Sequence, residues 1–371
     1  MTEADPVALQ PLVAWAGFGI AFMLGAVMNR THFCTMGALS DVVNIGDWTR
    51  LRMWVGAIGV AILGTQALAF AGLIDPGKSI YAGTRFAWLS NLVGGVLFGV
   101  GMVLASGCGS KTLVRIGGGS LKSLAVFVVM GVAAYATIKG LPGVVRAGVL
   151  DPVAIEMPGG TDLPRLLGGA DADAVARMRL VAGGLLGGAL LAFALAHRDA
   201  RRFDALLGLL VTGLAVTAIW YVSGHLGYVA EDPDTLEERF VATNSGRMES
   251  LSFVGPVAFT LELLMLWSDR SRVVTLGIAT VLGMAAGSFA WALATRRFRW
   301  EGFHGTEDTA NHLVGAVLMG VGGVTAMGCT IGQGLSGLST LALGSFVAFG
   351  GILMGGLAGL RYQRWRVERM A

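Results

Sequence analysis

The chain has 371 residues, of which 54% are hydrophobic and only 14% charged, with a formal net charge of +3. A soluble domain carries about a quarter of its residues as charges, so the composition excludes one, and the small net charge leaves no footprint for nucleic acid. Three cysteines, an odd number with no C-x-x-C spacing, exclude a disulfide framework and a zinc site, and neither metal nor cofactor is expected.

The start, MTEADP, is acidic and lacks the basic region of a signal peptide, so the first apolar run is expected to be retained. Nine segments reach the ~20 residues that cross a bilayer. They lie near 11–29, 52–75, 88–106, 121–140, 178–197, 204–224, 272–295, 311–328 and 340–361. A further run near 254–267, about 14 residues long, is too short to span and reads as re-entrant or interfacial. The Pro-, Gly- and Asp-rich segment 142–177 reads as a long outer loop. Glycine is used 57 times. Close helix packing accounts for many of these, but three in a row at Gly117-Gly118-Gly119 call for irregular backbone.

Residues 91–108 (NLVGGVLFGVGMVLASGC) and 312–329 (HLVGAVLMGVGGVTAMGC) are one segment written twice, identical at 12 of 18 positions and ending in Gly-Cys. Extending the alignment backwards pairs 52–75 with 272–295, and the stretch after Cys34 (MGALSDVVNIGDW) with PVAFTLELLMLW. The fold class is therefore an all-α polytopic membrane protein in a single integral membrane domain, 1–371. A first repeat covers about 11–140, a linking outer loop and helix 141–200, and a second repeat about 204–361. The duplicated helices are third and eighth, and an offset of five spans reverses direction, which predicts inverted repeats. Loop charge agrees. Arg30, Arg50, Arg52, Lys111, Arg115, Lys122, Arg198, Arg201, Arg202, Arg296, Arg297, Arg299 and the arginines of the tail fall on one side. The acidic residues Glu231, Asp232, Asp234, Glu237, Glu238 and the Asp-rich stretch 151–173 fall mainly on the other. By the positive-inside rule the C-terminus is cytoplasmic and the N-terminus outside, in a bacterial cytoplasmic (inner) membrane.

Each half carries two polar or glycine-rich interruptions: 29–38 and 107–120 in the first, 246–256 and 328–337 in the second. Irregular backbone at membrane depth is tolerated only where protein buries it or it lines a polar cavity, so the four should meet at the centre as re-entrant loops. Three of them carry the cysteines, Cys34, Cys108 and Cys329; the fourth has Val254 near the matching place. A lone cysteine in an apolar protein is usually a small buried hydrophobe. Three placed only in loops suggest a path for a soft, polarizable anion, met by neutral S–H groups. Candidate supporting residues are His32, Gly107, Gly109, Ser110, Lys111, Gly328, Thr330, Gln333, Ser336 and Glu249. Glycine-rich turns entering helix N-termini offer free N–H groups to an anion. Lys111 is equally explained by the positive-inside bias, and Glu249 reads as the partner of Arg247 or Arg30 in a structural ion pair.

The motifs NRTHFC-TMGAL, GVLFGVGMVLASGCGSKTLVRIGGGS, ES-LSFVGP and GAVLMGVGGVTAMGCTIGQGLSGLS make the chain resemble the YeeE/YedE family of sulfur transport membrane proteins over nearly its whole length. The resemblance implies an hourglass of inverted repeats whose loops point to a narrow centre, where three cysteines, here Cys34, Cys108 and Cys329, pass thiosulfate along through S–H contacts. It also implies, for some members, a separate cytosolic TusA-type sulfurtransferase as partner. The long 142–177 segment and the acidic 225–245 loop depart from the family pattern. Two functions of different class follow. One is a permease for thiosulfate or a related small sulfur anion, with no catalytic residues. The other is a membrane-embedded sulfurtransferase or thiol redox enzyme using a persulfidated cysteine, which calls for an activated thiolate and often a resolving cysteine. The missing C-x-x-C counts against the second.

Nine spans place the two termini on opposite faces. Reporter fusions at each end should therefore report different compartments, and termini on one face would exclude both the nine-span count and the inversion.

Overall fold

A computed structural model describes residues 6–169, 171–232, 236–269 and 271–370; the acidic start 1–5 and Asp234 of the acidic loop lie outside the described residues. The first half contains α1 (Pro6–Thr31), α2 (Thr35–Ile45), α3 (Thr49–Phe70), α4 (Trp88–Leu104), α5 (Gly109–Gly117) and α6 (Leu121–Lys139). The middle contains α7 (Leu141–Val145), α8 (Leu163–Gly168) and α9 (Ala172–Leu195). The second half contains α10 (Phe203–Tyr221), α11 (Gly255–Met265), α12 (Leu276–Ala294), α13 (Thr306–Thr325) and α14 (Leu343–Met370). Sheet is confined to two antiparallel pairs of two residues each among the described residues: β1 (Arg85–Phe86) with β2 (Ile155–Glu156), and β3 (Tyr228–Val229) with β4 (Arg239–Phe240). Apolar segments surrounded by lipid have no outside hydrogen-bond partner, so they take the one conformation that bonds its own backbone.

Eight helical stretches among the described residues are long and apolar enough to cross a membrane: Ala8–Ile45, Thr49–Phe70, Trp88–Gly117, Leu121–Lys139, Ala172–Leu195, Phe203–Leu226, Leu276–Ala294 and Leu343–Arg369. The protein is a multi-pass, all-α membrane protein. The sequence predicts nine spans, and the remaining one is α13. It has 20 residues, but Glu307, Asp308 and His312 in its first two turns hold its hydropathy down. The run expected to fall short of a span is α11, only 11 residues long.

The segment 142–177, expected as a loop, is largely folded. It forms α7, a π-helical turn (Arg146–Leu150), β2 and α8, and α9 begins at Ala172 rather than near 178. The reason is charge pairing that the sequence alone does not disclose. Asp162, 1% exposed, accepts from Arg179 Nη2 at 2.7 Å and so ties the entry of α8 to α9. Asp151 pairs with Arg146 at 3.2 Å.

Packing recurs between aligned segments. Helix α1 lies on α12 and α10 on α3; α4 lies on α14 and α13 on α6; α4 and α13 cross each other. That last crossing is reciprocal. A Cβ on Gly94 would stand 2.7 Å from the Gly322 carbonyl, and one on Gly322 2.6 Å from the Gly94 carbonyl. Gly101 and Gly315 oppose each other in the same way, at 2.7 and 2.6 Å. Small residues let the two backbones touch, the packing that substitutes for a hydrophobic driving force inside lipid. Beside Gly334 sits an aromatic core in which Trp54 stacks between Phe33 (6.2 Å) and Phe349 (5.1 Å).

A side chain at the crossing has nowhere to go. Gly101→Val should lower the melting temperature in detergent, by the equivalent of about 1–3 kcal/mol or more. Gly350→Ala on α14, where a Cβ meets nothing within 4 Å, should leave it unchanged.

Candidate functional site

Three of the four polar interruptions are built alike. After α1, α4 and α13 a non-glycine residue takes the left-handed conformation: His32 (φ 53°), Ser106 (φ 56°) and Met327 (φ 57°). A cysteine follows each of them two positions later: Cys34, Cys108 and Cys329. At the second turn Ser106 N–H donates to the Val103 carbonyl (3.1 Å) and Gly107 N–H to that of Met102 (2.8 Å). The third turn repeats this, with Met327 to Val324 (3.0 Å) and Gly328 to Gly323 (2.7 Å). This is the Schellman pattern, which satisfies the last carbonyls of the preceding helix. A left-handed residue with a Cβ costs about 1–2 kcal/mol, so packing must over-determine these turns.

The expectation of irregular loops over 29–38, 107–120 and 328–337 needs correction. Each interruption is one tight turn, after which helix resumes at Thr35, Gly109 or Thr330, the last continuing into a π-helical stretch (Gly332–Gly337). A short helix bonds most of its own backbone, which a loop in lipid cannot do. Of the three glycines read as irregular backbone, Gly117 still ends α5, and only Gly118 and Gly119 (φ 99°) form a turn, on which the chain at 299–301 closes. Arg299 N–H donates to the Gly118 carbonyl (3.0 Å) and Glu301 N–H to that of Gly119 (3.2 Å).

All three cysteines are free and buried, at 5%, 1% and 0% exposure for Cys34, Cys108 and Cys329. Each stands immediately before a short helix, where first-turn N–H groups lack intrahelical partners. The Cys34 sulfur accepts from Gly37 N–H and the Cys329 sulfur from Gly332 N–H, both at 3.4 Å. Cys108 makes no such cap; among the described residues its sulfur hydrogen-bonds with the Ser110 hydroxyl, at 3.3 Å. In the fourth interruption Val254 precedes α11 without a side-chain cap.

The interruptions meet. Cys108 lies within electrostatic range of both Cys34 and Cys329. The Phe253 carbonyl would lie 3.3 Å from a Cβ on Gly109, and the Phe253 N–H also faces the Cys329 sulfur. Two cavities flank the cluster. One, of about 450 Å³ on the Cys34–Cys108 side, is lined by Asn29, His32, Lys111, Arg115, Arg297 and Arg299, with Glu301 as its acid. Glu301 pairs with Lys122 at 2.6 Å, and this bond holds its carboxyl below the usual range, so the arginines stay available. The other, of about 430 Å³, holds Gly328, Ser252, Arg247, Arg146 and Glu249. The cation-rich first cavity raises the local concentration of anions, whereas in the second Arg146 is paired with Asp151 and Arg247 shares the lining with Glu249.

The remaining candidates separate. His32 is exposed in the first cavity, and Lys111 lines it too. Gly107 and Gly109 bracket Cys108 in buried backbone, and Gly328 lines the second cavity. Gln333 donates to the Ala326 carbonyl and Ser336 to that of Leu251 (2.7 Å), so both brace the third turn. The Thr330 hydroxyl is buried without a partner. The ion pair expected for Glu249 is not formed. Arg30 pairs with Asp204 at 2.9 Å, and Glu249 accepts instead from Ser245 N–H at 2.9 Å. Sequence reasoning passed over Arg50, whose guanidinium is paired with Asp41 and lies beside Gly37 and the Cys34 cap. It read Arg50 and Arg297 only as orientation signals. It also passed over Tyr81, which no motif marks.

The family model described as sulphur transport matches residues 30–358, a span that takes in all three cysteine turns. The chain belongs to the sulphur transport family. It is 28% identical over 345 residues to the thiosulfate transporter TsuA of Escherichia coli (strain K12), covering 84% of each chain. It is also 24% identical over 340 residues to the thiosulfate transporter TsuA of Spirochaeta thermophila, covering 90% of this chain and 94% of that one. In this member of the family the turns themselves can be tested. Ser106→Gly and Met327→Gly relieve left-handed strain and should raise the melting temperature, by up to the equivalent of about 1 kcal/mol, whereas Val at either place should lower it.

Proposed function

We propose that this chain is a permease for uptake of thiosulfate or a closely related small sulfur anion. The anion crosses between the two cavities through the constriction formed by Cys329, Cys108 and Cys34. One observation carries the reading: three buried free thiols, each at the start of a short helix, lie beside two cavities, one of them lined by Lys111, Arg115, Arg297 and Arg299. Thiosulfate presents a soft terminal sulfur, which suits a neutral thiol, and hard oxygens, which suit helix-start N–H groups. Cys108 is the central contact, since its sulfur caps no helix and is free to meet the permeant. The names of the two relatives support the substrate, and the family supports transport over chemistry.

A sulfurtransferase or redox enzyme fits less well. Its cysteine would need an accessible thiolate, whereas these three sulfurs are buried and two of them act as helix caps. The aligned segments that pack with exchanged roles support two inverted repeats, about 11–140 and 204–361, joined by the linker 141–200. The cation-lined cavity then faces the cytoplasm of a bacterium, with the N-terminus outside and the C-terminus inside. On that side a separate TusA-type sulfurtransferase is the fitting consumer of the substrate.

Replacing Cys108 or Cys329 by Ala should abolish uptake of radiolabelled thiosulfate at normal protein level, and Ser, a harder donor of similar size, should rescue only in part. Cys34→Ala should have the smaller effect. Normal uptake by a fully expressed triple Ala variant would overturn the thiol path.

A further inference from the structure

Tyr81 lies in the connection between α3 and α4, outside the duplicated cysteine turns. Its backbone is pinned to the fourth interruption: Ile80 N–H donates to the Met248 carbonyl (3.1 Å) and Met248 N–H to that of Lys78 (3.2 Å). Its ring meets Trp220 edge-on, with centroids 6.2 Å apart at 81°. Held in this way, the phenol delivers its hydroxyl to the Cys329 turn. The oxygen lies 3.3 Å from where a Cβ on Gly332 would stand, and Gly332 supplies the N–H that the Cys329 sulfur accepts. A Cβ at that point would also stand 2.8 Å from Ser252 Oγ, so glycine at 332 is what lets the Tyr81 and Ser252 hydroxyls close on the Cys329 turn.

Tyr81 is 8% exposed, and its hydroxyl has no hydrogen-bond partner among the described residues. Nearby donors are committed. Gln333 donates to the Ala326 carbonyl, Ser336 to that of Leu251, and Trp220 to the Ser339 hydroxyl at 2.9 Å. A buried O–H left without an acceptor is destabilising, and such groups are retained where something else supplies the acceptor. Tyr81 also lines a cavity of about 540 Å³ shared with Arg247, Arg85 and Met327, an approach route for an anion. Thr330, whose hydroxyl is likewise unpaired, does not line that cavity.

We propose that Tyr81 is a specificity-determining residue: its hydroxyl donates to an oxygen of the oxyanion while the Cys329 thiol meets the soft sulfur end. This assignment rests on the thiosulfate reading above and deepens it. A group with a sulfur end and an oxygen end would be held at both, which a thiol alone cannot do.

The test is thiosulfate binding to purified protein by calorimetry, with uptake into proteoliposomes alongside. Tyr81→Phe keeps the ring on Trp220 and should melt as wild type without ligand, yet bind thiosulfate about tenfold more weakly, with a matching rise in KM. Wild-type affinity and KM in Tyr81→Phe would overturn the assignment while wild-type uptake keeps the transport reading intact. Weaker binding by Tyr81→Phe that comes with a lower melting temperature of the ligand-free protein would assign the effect to packing and overturn it as well. Wild-type protein that neither binds nor carries thiosulfate would overturn both.

Discussion

Backbone polar groups at membrane depth must find partners within the protein, and the structure depends on how three tight turns meet that demand. Each ends a long helix and restarts a short one within four residues, and the Ser106 and Met327 turns close the last carbonyls of the helices before them. The restart is where chemistry becomes available, because the first N–H groups of a helix lack partners. A cysteine is a small, weak acceptor, adequate to cap Gly37 or Gly332 at 3.4 Å without adding a charge to the centre of the bilayer. Serine would cap more strongly, but its oxygen would favour a hard, hydrated ligand. The same atom thus serves the backbone and the permeant, and only Cys108 is released from the first duty.

Glycine contact determines how close these turns come. At the α4–α13 crossing the two backbones pack without side chains between them, which draws the Cys108 and Cys329 turns toward each other. Aromatic packing around Trp54 and Trp220 surrounds the pair with bulky, fully buried rings. The rigid parts are therefore next to the thiols, and the charged, exposed parts lie at the two mouths.

Much of this was legible in the chain. The 91–108 and 312–329 duplication disclosed the helices that cross, and the placing of cysteines only in interruptions pointed to the buried thiols of the candidate site. Glycine-rich polar stretches were read as loops, because a Schellman turn with Ser106 or Met327 in the left-handed position carries no glycine signal at the decisive residue. The 142–177 segment was misjudged for another reason. Its aspartates look like solvated outer charge until Arg179 and Arg146 come to meet them, contacts that tertiary structure alone creates. Glu249 failed in the opposite sense, since backbone N–H groups replaced the expected arginine. Tyr81 had no sequence signature at all; its meaning comes from an unpaired hydroxyl beside Gly332.

Val254 has a consequence for direction. It packs against Gly323 on α13, at the place where the duplication would put a fourth thiol. With four thiols the permeant would meet the same sequence of energy wells from either mouth. Removing one makes the profile lopsided, with a deeper approach on one side and a shallower one on the other. Such a profile cannot by itself drive net flux, which the concentration gradient decides, but it gives the two faces different affinities. On the proposed thiol path the conduit would then saturate at a lower concentration from one compartment than from the other, a rectifying behaviour that follows from a single apolar side chain.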